Sequence, residues 1–154
     1  MADLIGFLPD DVDTAAPTRA ARLKWVVVVD ESLPAGIAAN AAICTAAATA
    51  SGVTGLLGPD AVDADGGAHP GLPWAGVSVL RASAEQLTAI RAKAAAADDV
   101  FVADMPAAAQ LTRVYDEYLD AVAGTASDAL PYYAVSVVGP RNRVDRIVGR
   151  LALL

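Results

Sequence analysis

The sequence predicts an α/β fold, a three-layer α/β/α sandwich on a mixed sheet of about four strands. Three observations carry this expectation. Short apolar runs rich in β-branched residues recur along the chain, and stretches of helical character separate them. The first run contains Val26-Val27-Val28-Val29, which suits a strand covered on both faces. A hydrophobic content of 55% in 154 residues supplies one full core.

Residues 1–20 mix acids, prolines and alanines without a period, and read as an N-terminal arm on a single domain of residues 21–154. Leu4, Ile5, Phe7 and Leu8 are its expected anchors. Leu23 to Val29 is the first strand. Pro34 fits the first turn of a helix that runs towards Ala50 and is closed by Gly52. Its many alanines, Ala38, Ala41 and Ala42 among them, allow a close approach to the sheet. From Leu56 to Trp74 turn formers dominate, and Asp65-Gly66 marks the tip of a small hairpin.

Gly76 to Arg81 is the second main strand. Ser83, with Gln86 three residues on, has the reciprocal capping pattern of a helix start. Leu87, Ile90, Ala94 and Ala97 then form an apolar stripe. Val100 to Ala103 is a short third strand, and Pro106 opens a helix with Leu111, Val114, Tyr118 and Val122 on one side. Tyr132 to Val138 is the fourth strand. Gly139-Pro140 leads into a last helix that turns Val144, Ile147, Val148 and Leu151 to the core.

Eighteen acids against eleven lysines and arginines give a net charge of −7, which repels a nucleic acid. The run Arg141, Arg143, Arg146 and Arg150 around Asp145 is the local exception. It is either an anion site or a set of arginines paired with nearby acids and the helix C-terminal dipole. A membrane span needs ~20 apolar residues, and no run approaches that. The start lacks the basic lead of a signal peptide. One cysteine excludes an internal disulfide framework and a thiolate zinc cage. The expectation is a soluble cytoplasmic protein without cofactor, partnered by a small molecule or by a second copy through an alanine-rich face.

Asp30-Glu31-Ser32-Leu33-Pro34-Ala35-Gly36, between the first strand and helix, has the outline of a nucleotide loop. It lacks the lysine and the spaced glycines that cradle phosphate, and its two acids oppose one. Asp30 and Glu31 remain as candidate ligand-binding acids at a strand's C-terminal end, where α/β sheets place their sites. Asn40 and Cys44 share a helix face, and an amide among alanines needs partners if it is buried. Cys44 has no cation or histidine near it in sequence and reads as a buried, inert thiol. His69, the one histidine, offers a ligand-binding nitrogen near Asp63 and Asp65, but the spacing is not that of a calcium loop and no metal is expected. Asp104 ends the third strand as a candidate catalytic acid, or caps the helix after it.

Lys24-Trp25-Val26-Val27-Val28-Val29, Ile37-Ala38-Ala39-Asn40, Leu56-Leu57-Gly58, Asp63-Ala64-Asp65-Gly66, His69-Pro70-Gly71 and Val138-Gly139-Pro140-Arg141 occur in that order. With the closing Val144 to Leu151, this order resembles the domain-of-unknown-function family numbered two thousand, over residues 18–154. The resemblance implies a fold similar to that of the type-two peptidyl-tRNA hydrolases. Those enzymes carry a lysine and a histidine in the first helix; Gly36 and Ile43 stand at those positions here. Of their aspartate-alanine-glycine element, Asp104-Met105-Pro106 keeps the aspartate alone. The expected function is therefore a small-molecule-binding or regulatory domain without peptidyl-tRNA hydrolase activity. The alternative is a divergent hydrolase that uses Asp104 as acid or base with Asn40 as a polarising donor.

Overall fold

The computed structural model describes residues 5–154. In chain order the elements are β1 (Leu23–Asp30), α1 (Ala35–Gly52), the two-residue strands β2 (Ala61–Val62) and β3 (Ala68–His69), and β4 (Ser78–Ala82). There follow α2 (Ala84–Ala95), β5 (Phe101–Pro106), α3 (Ala108–Leu111), α4 (Tyr115–Ala123), β6 (Tyr132–Pro140) and α5 (Arg141–Val148). The main sheet is mixed and four-stranded, in the order β4-β1-β6-β5. β4 runs parallel to β1, while β6 is antiparallel to both β1 and β5.

Side chains of a strand alternate between its faces, and those of β1 enter two separate cores. Trp25, Val27 and Val29 meet Ala38 and Ala41 of α1, with Met105, Ala134 and Phe7. Val26 and Val28 meet Leu87, Ile90 and Ala94 of α2 and Val144, Ile147 and Val148 of α5. The four valines are thus covered on both sides, as a continuous apolar strand requires. The capping box at Ser83 forms as expected: Ser83 N–H donates to Gln86 Oε1 at 2.9 Å and Gln86 N–H to Ser83 Oγ at 3.2 Å. β2 and β3 pair antiparallel around Gly66, whose φ of 86° is the left-handed turn that glycine permits.

The chain departs from the sequence expectations in several places. β5 does not stop at Ala103 but runs through Asp104 and Met105 to Pro106, because β6 supplies pairing partners that far. Pro106 ends a strand rather than opening a helix, which an edge strand tolerates because it lacks an N–H. The helical stretch after it breaks into α3 and α4, and Leu111 and Val114 are exposed. Of the arm's expected anchors, Leu4 lies outside the described residues. Phe7 is buried against Trp74, with ring centroids 4.8 Å apart, Ile5 packs against the same core, and Leu8 faces solvent. Gly52 closes no left-handed turn. It is the last residue of α1, where a Cβ would collide with the Phe101 ring.

The carboxyl-terminal residues cover the β4 edge. Arg81 N–H donates to Ala152 O at 2.9 Å and Leu154 N–H to Val79 O at 3.0 Å, which removes an open template for strand addition. Among the described residues no helix is long and apolar enough to cross a membrane.

Candidate functional site

The residues singled out from sequence do not converge. Asp30 ends β1 and is nearly buried, yet its Oδ1 accepts the Ser32 N–H at 2.8 Å and the Ser32 hydroxyl at 2.7 Å. This is the self-made turn that aspartate favours after a strand. Glu31 is exposed, and its N–H donates to Ala82 O at 2.9 Å, so its backbone continues the pairing with β4. Asn40 lies on the exposed face of α1 together with Cys44, whose thiol approaches its Oδ1 at 3.8 Å. The expectation of a buried thiol is thereby corrected. The faces of α1 are set by which residues reach the sheet, and Ala38, Ala41, Thr45 and Thr49 do.

Asp104 lies in the middle of β5, opposite Val135 of β6, and caps no helix. Its Oδ2 accepts Arg91 Nε–H of α2 at 3.1 Å, and the Arg91 guanidinium sits 5.8 Å from the centre of the Tyr132 ring. A bulge in β6 makes this grouping. Met105 pairs with Ala134 but Pro106 with Tyr132, so Tyr133 is the extra residue and Tyr132 is re-aimed to the Asp104 side. Burial pushes the Tyr132 hydroxyl above the ordinary tyrosine value, opposed by the Arg91 charge and helped by that of Asp104. Burial raises Tyr118 likewise, helped by Tyr115 and then Asp104. Asp104 belongs with α2, whereas Asn40 belongs to α1, which packs on the other core. The structure does not bring Asp104 and Asn40 together, so the divergent hydrolase that pairs them loses its geometry.

His69 stands on β3, where its Nε2 lies 3.1 Å from Asp63 Oδ2. Asp63 Oδ1 accepts the N–H groups of Gly67 at 2.8 Å and Asp65 at 3.0 Å. These contacts, the Gly67 bond first, hold the Asp63 carboxyl below its ordinary value of 3.8. Asp63 therefore closes the hairpin turn and engages the histidine. Among the described residues no three histidine, cysteine or acidic side chains gather as a metal site would need.

A half-open cleft lies elsewhere, towards the start of β1. Its volume is ≈ 330 Å³, and it is lined by Thr18, Arg19, Lys24, Ser78 and Arg141, with Trp25 and Val77 among its apolar residues. That is the small end of the ~300–1,000 Å³ usual for ligand sites. Thr18 and Arg19 come from a 3₁₀ turn spanning Thr18–Ala20. Lys24 is the second residue of β1, Arg141 is the first residue of α5, and Ser78 opens β4 two residues after Gly76. Gly76 adopts a φ of 75°, and its N–H donates to Pro73 O at 3.0 Å, which turns the chain into β4 along the cleft.

Among the described residues that line it are three cations and no carboxylate, in a chain of net charge −7. Arg141 donates from one Nη to Thr18 O and Ala21 O, both at 3.4 Å, and so ties the early turn to α5. A guanidinium carries five N–H donors, so most of its capacity is open to a ligand. Lys24 Nζ meets Asp145 of α5 at 2.6 Å, and the lysine side chain is 28% exposed. Arg19 makes no hydrogen bond or ion pair among the described residues. The run of C-terminal arginines is split: Arg143 pairs with Asp99 at 3.1 Å and Arg146 bonds Asn142 O at 3.2 Å, so Arg141 alone of them lines the cleft. Lys24 was visible in the sequence as the lysine beside the valine run, while nothing local flagged Arg19 or Gly76.

A family model described as "Protein of unknown function (DUF2000)" matches residues 23–154. No curated protein matches the chain. A solved structure of a protein of unknown function from Agrobacterium tumefaciens strain C58 is similar at 15% identity and a TM-score of 0.80. The match covers 86% of this chain and 98% of that one, which shows a shared fold.

Proposed function

The chain belongs to DUF2000, a family of proteins of unknown function, and from that premise we propose that it binds a small molecule in the cleft of Lys24 and Arg141. The observation that carries this reading is the cleft itself: ≈ 330 Å³ lined by three cations on an acidic protein. A concavity with placed polar groups is a usual feature of a ligand site. The layering belongs to the same proposal. Two cores, one shared with α1 and one with α2 and α5, support reading the fold as a three-layer α/β/α arrangement similar to that of the type-two peptidyl-tRNA hydrolases.

Peptidyl-tRNA hydrolysis is not part of the reading. Gly36 and Ile43 stand where those enzymes carry lysine and histidine, and the chain's overall charge opposes an RNA. Nor is a hydrolase built on Asp104 and Asn40, which the fold separates. A thermal-shift screen of a small-molecule library on wild type and on Lys24→Gln tests the proposal. Compounds that stabilise the wild type and lose that effect in the variant are expected. A library that stabilises neither, or both equally, contradicts it.

A further inference from the structure

We propose that the ligand of this cleft carries a phosphomonoester, and that Asp145 competes with it for Lys24. This inference rests on the cleft being the ligand site and adds the chemistry of its occupant. Arg19, Lys24 and Arg141 come from three separate segments and line one small concavity. Three cations lining so small a volume match a single group with concentrated charge. A phosphomonoester carries about −1.5 to −2 at neutral pH and three acceptor oxygens. Arginine forks match such oxygens two at a time, while lysine meets them as a point charge.

The hydroxyl residues Thr18 and Ser78 line the same space and supply further donors. Trp25 and Val77 leave room for a modest apolar body beside the charged group. The Arg141 donors not used on Thr18 O and Ala21 O are available to the ligand, and Arg19 is committed to no partner among the described residues. Among the described residues the one acid in contact with the set is Asp145, at 2.6 Å from Lys24 Nζ, and it is half exposed. An ammonium has three donors, so Lys24 can turn towards an incoming anion while Asp145 opposes that anion by like charge. The pair thereby tunes affinity downward and makes binding sensitive to salt.

Titrating the full chain with phenyl phosphate, malonate and benzyl alcohol, read by backbone amide shifts and calorimetry, tests the proposal. Phenyl phosphate is expected to saturate with shifts at Gly76, Val77 and Ser78. Lys24→Gln and Arg141→Gln should each weaken it about tenfold, the scale of one lost charge-assisted contact. Asp145→Asn, a half-exposed surface change that leaves both cores intact, should strengthen it several-fold. Tighter binding of malonate than of phenyl phosphate, or affinity unchanged in Asp145→Asn, overturns the proposal. Benzyl alcohol shifting those amides while phenyl phosphate does not overturns the phosphomonoester and leaves the cleft as a ligand site. Silence from all three compounds counts against both.

Discussion

At the scale of single residues, the most constrained polar group is a buried chain that begins at Trp25. Its indole N–H donates to Ser136 Oγ at 2.8 Å, and Ser136 Oγ lies 2.7 Å from Thr49 Oγ1. The Thr49 hydroxyl donates to Thr45 O at 2.7 Å, so its proton is used, and Ser136 must donate to Thr49. Every proton in the chain then has one acceptor. Ser136→Ala leaves the indole N–H and the Thr49 oxygen without partners inside the core, at a cost of about 1–3 kcal/mol. Urea unfolding measures that loss; an unchanged midpoint would contradict the network. Asp63 offers a test by pH. Its folded value is depressed, so its contribution is complete above 3.8 and is lost as pH falls through the lower folded value. Carboxyl NMR should find Asp63 titrating below 3.8 in the wild type and shifting upward in His69→Ala, where one of its partners is gone.

At the scale of elements, α1 shows why the fold was more legible than the detail. Its existence followed from Pro34 and an alanine-rich run, but its faces follow no hydropathy pattern: Ile43 is exposed while Thr45 and Thr49 are buried. Size and the hydroxyl network decide which side meets the sheet, and neither leaves a periodic signal in sequence. The strands of the main sheet and the Ser83 cap were legible because each rests on local chemistry. The true length of β5 was not, because it depends on β6, nearly thirty residues downstream. The cleft was legible only in fragments, since Arg19, Lys24, Ser78 and Arg141 meet through the pairing of β1 with β4 and β6. Gly52 carries the prediction at this scale. Replacing a helical glycine by alanine ordinarily gains about 0.5–1 kcal/mol. Here the methyl meets the Phe101 ring, and Gly52→Ala should instead destabilise by about 1–3 kcal/mol, as overpacking does. Thermal unfolding of that variant gives the sign directly.

At the scale of the whole molecule, charge and shape point to the same place. A chain of net charge −7 repels polyanions over most of its surface, yet three of its eleven lysines and arginines line one cleft. The acids that first drew notice, Asp30, Asp63 and Asp104, are occupied by a turn, a hairpin and an ion pair. The proposed ligand site thus lies at the beginning of β1, near Lys24, rather than at its end at Asp30. The most direct test maps amide shifts over the full chain with a compound that stabilises it. Shifts are expected to cluster at Lys24, Trp25, Gly76 to Ser78 and Arg141. Shifts clustered at Asp30 and Glu31, or around Asp104 and Tyr132, would contradict it.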